Sequence, residues 1–263
     1  MLGAIIGDIV GSRFESAPLH APSFELFTPE CSFTDDTICT IAIADAVLHN
    51  ADYQSTLRKW CRRYPNPAGG YGAMFHQWLL SESPKPYGSC GNGSAMRVSS
   101  IGWLFDDIRQ VLDEAGKSAA FTHNHPEGIK GARCIASLIF NLRSCRESKD
   151  SLLNNIHKHY DYHIPSLQEV NRFGRSGHFD ATCQETVPMA ISCFLESTDF
   201  ENAIRLAMMA RGDTDTKGAI VGSLAEAFYE IPGWMANKAY EYLPEEMIDV
   251  LREFYDQSAR RLG

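Results

Sequence analysis

The chain has 263 residues, 44% hydrophobic and 22% charged, enough for one substantial core. Its net charge of −9 excludes a broad basic field for nucleic acid or an anionic membrane. An anionic ligand must therefore be met locally, by backbone amides, a bound cation or a few of the 24 lysines and arginines.

In chain order, Met1 to Val10 is apolar but has no basic leader, carries Asp8 and is too short to span a bilayer or act as a signal, so a cytoplasmic protein is expected. Leu2, Ile5, Ile6 and Ile9 recur at helical spacing, while Gly3, Gly7 and Gly11 make a second, smooth face that another helix can approach closely. Ser12 to Phe33, with Pro18, Pro22 and Pro29, resists helical assignment, and so long a loop in a compact domain usually carries function. It holds Glu15, close behind Gly7-Asp8 and ahead of an acidic string, a position that invites a catalytic role.

That string, Thr34-Asp35-Asp36-Thr37, runs into a helix over Ile38 to Leu48, and Asp213-Thr214-Asp215-Thr216 repeats the pattern before a helix over Lys217 to Tyr229. The bland reading is two ordinary helix caps. Adjacent carboxylates, however, project about 100° apart around a helix, so one backbone donor cannot occupy both. Magnesium or manganese would hold the remainder, since hard cations take carboxylate, hydroxyl and water oxygens.

Between the strings, Ala95 to Phe105, Ile108 to Ala120 and Pro126 to Leu142 read as helices. Thr198-x-x-Glu201 is a capping box ahead of a stripe of Phe200, Ala203, Ile204, Ala207 and Met208. Gly218 and Gly222 give the helix after the second string its own smooth face; Pro232-Gly233 ends it, and Pro244 opens a last helix with Met247, Ile248, Leu251, Phe254 and Tyr255 inward. His157 to Thr182, with Pro165, Gly174 and Gly177, is a second non-helical stretch. With no alternating strand pattern, the expected fold is all-α, one domain over residues 1–263. Cys31, Cys39, Cys61, Cys90, Cys134, Cys145, Cys183 and Cys193 contain no Cys-x-x-Cys and read as reduced core residues.

Gly88-Ser89-Cys90-Gly91-Asn92-Gly93-Ser94-Ala95-Met96-Arg97 lacks both the Walker lysine and the dinucleotide spacing. Its bare amides favour a phosphate, although in isolation such a run is more often a turn. In Thr122-His123-Asn124-His125-Pro126 the two histidines have no third nitrogen or sulfur ligand nearby, which favours hydrogen bonding to a sugar or phosphate over metal binding. His157, His159 and His163 read as structurally neutral.

The succession Gly3-Ala4-Ile5-Ile6-Gly7-Asp8, Glu15, Phe33-Thr34-Asp35-Asp36-Thr37, Gly91-Asn92-Gly93-Ser94-Ala95-Met96-Arg97, Thr122-His123 and Gly212-Asp213-Thr214-Asp215-Thr216 resembles the ADP-ribosylglycohydrolase family, which includes the dinitrogenase-reductase-activating glycohydrolases, nearly end to end. The resemblance implies an all-α fold with two Mg2+ or Mn2+ ions at the floor of a cleft for ADP-ribose. By motif position Thr34, Asp35, Asp36, Asp213, Asp215 and Thr216 are the implied metal ligands. Glu15, with Asp35 and Asp36, forms the implied catalytic set. The turn of Gly91, Asn92, Gly93 and Ser94 would hold the pyrophosphate, His123 would lie near a ribose, and Gly88 and Ser89 complete the implied substrate-binding set.

The implied activity is hydrolysis of the N- or O-glycosidic bond between ADP-ribose and an acceptor, on an ADP-ribosylated protein or on nucleic-acid-linked ADP-ribose. The alternative is a catalytically silent ADP-ribose- or metal-binding regulatory module. Two positions depart from the family: Arg211 stands where glycine is usual, and Lys217 where a small or apolar residue is usual. Lys217 lies about 200° around a helix from Asp215, so its amine is expected in solvent. Arg211 is expected to point outward or onto the ligand's phosphates.

Overall fold

The computed structural model describes residues 1–15, 19, 23–145 and 148–262, without the side chains of residues 145, 261 and 262. Pro18, Pro22 and the Cys145 thiol therefore lie outside the described set.

Helix α1 (Leu2–Gly11) is buried all round and apolar except for Asp8. Its glycine face runs antiparallel along α13 (Thr214–Phe228), and the two backbones touch. A Cβ on Gly3 would collide with the Gly222 carbonyl, one on Gly7 with that of Gly218, and one on Gly11 with that of Thr214. The antiparallel register brings the C-terminus of α1 to the N-terminus of α13. The buried α2 (Asp35–Leu48) starts at the same place.

The other helices wrap this centre: α3 (Tyr53–Arg63), α4 (Ala73–Leu80), α5 (Gly93–Met96), α6 (Ser99–Leu104), α7 (Ile108–Ala120), α8 (Pro126–Cys145), α9 (Lys149–Tyr160), α10 (Leu167–Arg175), α11 (Cys183–Glu196), α12 (Phe200–Met209), α14 (Gly233–Tyr240) and α15 (Glu245–Leu262). The described residues contain no sheet. Two isolated bridges pin loops beside the helix starts, Thr34 with Ala68 and Gly91 with Thr182.

Several expected boundaries change. The helix expected over Ala95 to Phe105 is two short ones, because Arg97 and Val98 leave helical geometry, with ψ near 0° at both. The break lets the Arg97 guanidinium bury itself, donating to the Ser118 carbonyl at 2.8 Å and Thr122 Oγ1 at 2.9 Å. The cap of α12 is Asp199, whose carboxylate accepts from the Asn202 amide at 2.8 Å; Thr198 donates to Asp199, and Glu201 pairs with Arg205 at 2.7 Å. A carboxylate one residue nearer the helix displaces the expected threonine.

The stretch from His157 to Thr182 is not free of helix. His157 belongs to α9, and α10 carries its own capping box, Ser166 with Glu169. Pro232 caps the start of α14 rather than simply closing α13. Cys31, Cys39, Cys61, Cys134, Cys183 and Cys193 are buried free thiols, and Cys90 is a half-buried one.

Candidate active site

Three helix ends meet at one point. Asp8, one turn before the end of α1, is fully buried and points at the start of α2. It accepts from the Thr34 amide at 2.9 Å, Thr34 Oγ1 at 2.7 Å, the Thr37 amide at 3.1 Å and Thr37 Oγ1 at 2.5 Å. Thr34 Oγ1 in turn accepts from the Asp36 amide at 3.2 Å. The first turn of α2 is thus capped by Asp8 and Thr34, leaving Asp35 and Asp36 free of that duty. Sequence reasoning missed Asp8 as a site residue, although an acid inside an apolar helix was the available signal.

Asp36 and Thr216 link the two strings, with the Thr216 hydroxyl donating to Asp36 Oδ2 at 3.2 Å. Asp36 Oδ1 is buried without a partner among the described residues. Asp213 starts α13 without a side-chain capping bond; its Oδ2 instead accepts from Asn92 Nδ2 at 2.7 Å. Glu15, Asp213 and Asp215 each present an oxygen within 4.8 Å of the others.

These residues form the floor of a cleft lined also by Asp35, Thr216, Ser89, Gly91, Asn92, Gly93 and His123. Three expected site residues stand apart from its lining. Thr34 is behind the wall with its hydroxyl proton on Asp8, Ser94 donates to the Gly128 carbonyl at 2.7 Å, and Gly88 donates to Asn124 Oδ1 at 2.7 Å.

Burial, and then mutual repulsion, hold these carboxyls above their ordinary range. Asp36 is well raised, by burial first and then by the Asp215 charge, and Asp35 and Asp213 are well raised too. Asp215 is pushed up to about 7 by burial, against a lowering hydrogen bond with Asp213. Glu15, half-buried and facing Asp213, is also raised. Acids crowded this closely oppose one another's ionisation, which protons or cations would relieve.

His123 is buried with Nδ1 2.8 Å from Thr122 Oγ1, and burial drives its pKa well down, so the imidazole is neutral. Its Nε2 faces the glycine turn, 3.1 Å from where a Cβ on Gly93 would sit. His125 points to solvent, so the two histidines diverge.

Lys217 overturns expectation. It is fully buried, and its ammonium lies 2.9 Å from Asp180 Oδ1. Helical projection alone left out the carboxylate that the α10–α11 segment brings over it. Arg211 is outside the cleft lining. The lining also includes residues not anticipated, chiefly Gly69, Gly70 and Tyr71 ahead of α4, Tyr87 and Phe179. Ala68-Gly69-Gly70-Tyr71-Gly72 was the legible signal for the first group; a Cβ on Gly69 would lie 3.6 Å from Glu15 Oε2.

Known proteins resemble this chain in sequence and in fold. The chain is 26% identical over 229 residues to the ADP-ribosyl-[dinitrogen reductase] glycohydrolase of Rhodospirillum rubrum, covering 78% of this chain and 72% of that protein. It is 24% identical over 307 residues to ADP-ribosylhydrolase ARH3 of Mus musculus, covering 87% and 82%. With ADP-ribosylarginine hydrolase Tri1 of Pseudomonas putida (strain GB-1) it shares 22% over 294 residues, 95% and 76%. A solved structure described as an ADP-ribosylglycohydrolase-related protein complex superposes with a TM-score of 0.72 at 25% identity, covering 98% of this chain and 95% of that one. A model of the ADP-ribosylglycohydrolase family matches residues 1–262. By sequence along its length and by fold, the chain belongs to the ADP-ribosylglycohydrolase family.

Proposed function

We propose that this protein is a metal-dependent hydrolase that cleaves the glycosidic bond between ADP-ribose and an acceptor, reversing ADP-ribosylation in the cytoplasm. The observation that carries the proposal is the convergence of two acidic helix starts on one cleft floor, with Asp36 Oδ1 buried and unpartnered. An orphaned oxygen in a cluster of hard donors fits magnesium or manganese. Asp35, Asp36, Asp213, Asp215 and Thr216 would hold two such ions. Thr34 keeps one hydroxyl lone pair for the same role. Bound there, the ions would anchor the ribose diol and lower the pKa of a water.

The chain's own residues supply the rest. Bond cleavage at the anomeric carbon develops oxocarbenium character, and Glu15, with its raised pKa, suits an acid/base or charge-stabilising role. Gly91 and Gly93 let a diphosphate approach the backbone, supported by Ser89 and Asn92 at the same wall. With Nδ1 paired to Thr122 Oγ1, His123 has Nε2 left to exchange one hydrogen bond with a ribose hydroxyl. Two of the relatives are named for ADP-ribosylated protein or arginine substrates, which supports a protein side chain as acceptor.

The test is release of ADP-ribose from a panel of N- and O-linked conjugates by wild type, Glu15→Gln and Asp215→Ala, with magnesium and with chelator. Release by wild type in magnesium, abolished by chelator and by either substitution, is expected. Full activity of Asp215→Ala would remove the metal assignment. Tight ADP-ribose binding with no release from any conjugate would identify a silent binding module instead.

A further inference from the structure

Asp180 lies between α10 and α11, outside both acidic strings, and is fully buried. Its Oδ1 accepts from the Lys217 ammonium at 2.9 Å and from the backbone amide of Asp213 at 3.2 Å. Its carbonyl accepts from Asn92 Nδ2 at 3.3 Å and Thr186 Oγ1 at 3.0 Å. The same Asn92 amide donates to Asp213 Oδ2 at 2.7 Å. Asp213 is therefore gripped at its main-chain N–H and at its carboxylate through a single node.

The local backbone needs that grip. Arg211 and Gly212 both adopt left-handed geometry, with φ of 58° and 69°, in delivering the chain to Asp213. The Asp180 carboxylate fills the space beside this turn, where a Cβ on Gly212 would collide with its Oδ1. A carboxylate so deeply buried must be neutralised. Among the described residues, the one ion pair of Lys217 is with Asp180, not with the acidic strings. Lys217 follows Asp213 by one helical turn, its amide donating to the Asp213 carbonyl at 3.1 Å, so residue and counter-ion travel on one rigid helix start.

We infer that Asp180, neutralised by Lys217, is a positioning residue that holds Asp213 in the orientation a divalent cation requires. The inference rests on the metal-dependent reading above and deepens it. Outer partners of this kind orient metal-binding carboxylates, and their loss typically weakens cation affinity about 10- to 100-fold.

Metal-stripped wild type and three variants, each checked by circular dichroism, are titrated with magnesium in a calorimeter. Asp180→Asn with Lys217→Met carries no buried charge yet keeps an oxygen for the Asp213 amide, and is expected to bind within about threefold of wild type. Asp180→Ala with Lys217→Met is equally uncharged but lacks that oxygen, and is expected to bind about tenfold or more weakly. Lys217→Met alone leaves Asp180 unpaired and is expected to bind more weakly as well.

Equal affinity in the two double variants would overturn the positioning role, and so would tighter binding by Lys217→Met, which would mark the lysine as a competitor of the cation. If Lys217→Met does not fold, the two double variants still decide. A wild type that takes up magnesium but releases no ADP-ribose overturns only the catalytic reading, since affinities alone report positioning. A wild type that binds no magnesium overturns both.

Discussion

The Thr216 hydroxyl donates to Asp36 Oδ2 across 3.2 Å, joining the first turns of two helices whose residues stand 180 positions apart. Opposite Oδ2, Asp36 Oδ1 is buried without a partner among the described residues. Without a cation, this arrangement places a carboxyl where ionisation is opposed by burial and by neighbouring charge.

Removing that carboxylate should therefore separate stability from function. Asp36→Asn is expected to raise the melting temperature of the chelator-treated protein and to abolish the upward shift that magnesium gives wild type by mass action. Melts of both proteins, with and without magnesium, check this. A magnesium shift of wild-type size in Asp36→Asn would contradict it.

The pH dependence follows from the sign of the Asp215 shift. Its folded pKa of about 7 lies above the ordinary 3.8, so the folded chain holds the proton more tightly than the unfolded one. The associated stability is complete below 3.8 and is lost as the pH rises towards about 7. Stabilisation by magnesium should grow across the same window, as cations replace the departing protons. The quantity to measure is the difference between melts in magnesium and in chelator at each pH, which cancels titrations remote from the site.

Asp8 should matter without touching substrate. Asp8→Ala strips the acceptor from the amides and hydroxyls of Thr34 and Thr37, all of them buried. The expected cost is about 3 kcal/mol or more in chemical denaturation. Magnesium affinity should fall about tenfold, because the start of α2 is no longer held in place.

Gly7→Ala tests the central seam. Its Cβ would run into the Gly218 carbonyl, backbone against backbone, which no rotamer change relieves. The expected destabilisation is about 1–3 kcal/mol or more, read from urea unfolding. Ala4→Gly on the same buried helix, with no such collision, gives the combined size of a lost core methyl and a change in helix propensity.

Legibility in the sequence tracked how local each determinant is. The helix over Ile108 to Ala120 was readable at both ends because its apolar period and polar joints are contained in the segment itself. The glycine faces of α1 and α13 were readable as smooth, and the structure packs them on each other. Short polar helices such as α10 were missed because they lack a long apolar stripe, although Ser166-x-x-Glu169 was a start signal present in the sequence.

At the candidate site, the paired acids stood out because a helix start has too few donors to occupy them. Asp8 and Asp180 did not, as each acts on a backbone amide that only the fold brings near. Lys217 was misjudged for the same reason: position around its own helix says nothing about a counter-ion arriving from another segment.

The end of the glycine seam is where fold and chemistry become inseparable. Gly11 abuts Thr214 and Asp215, and its carbonyl accepts from the Thr214 hydroxyl at 2.9 Å. Spacing between two main chains thus sets the width of the acid-lined floor, like the closed end of a caliper. Any methyl group added along that seam would push the two main chains apart and be felt at the cleft as a change of gauge.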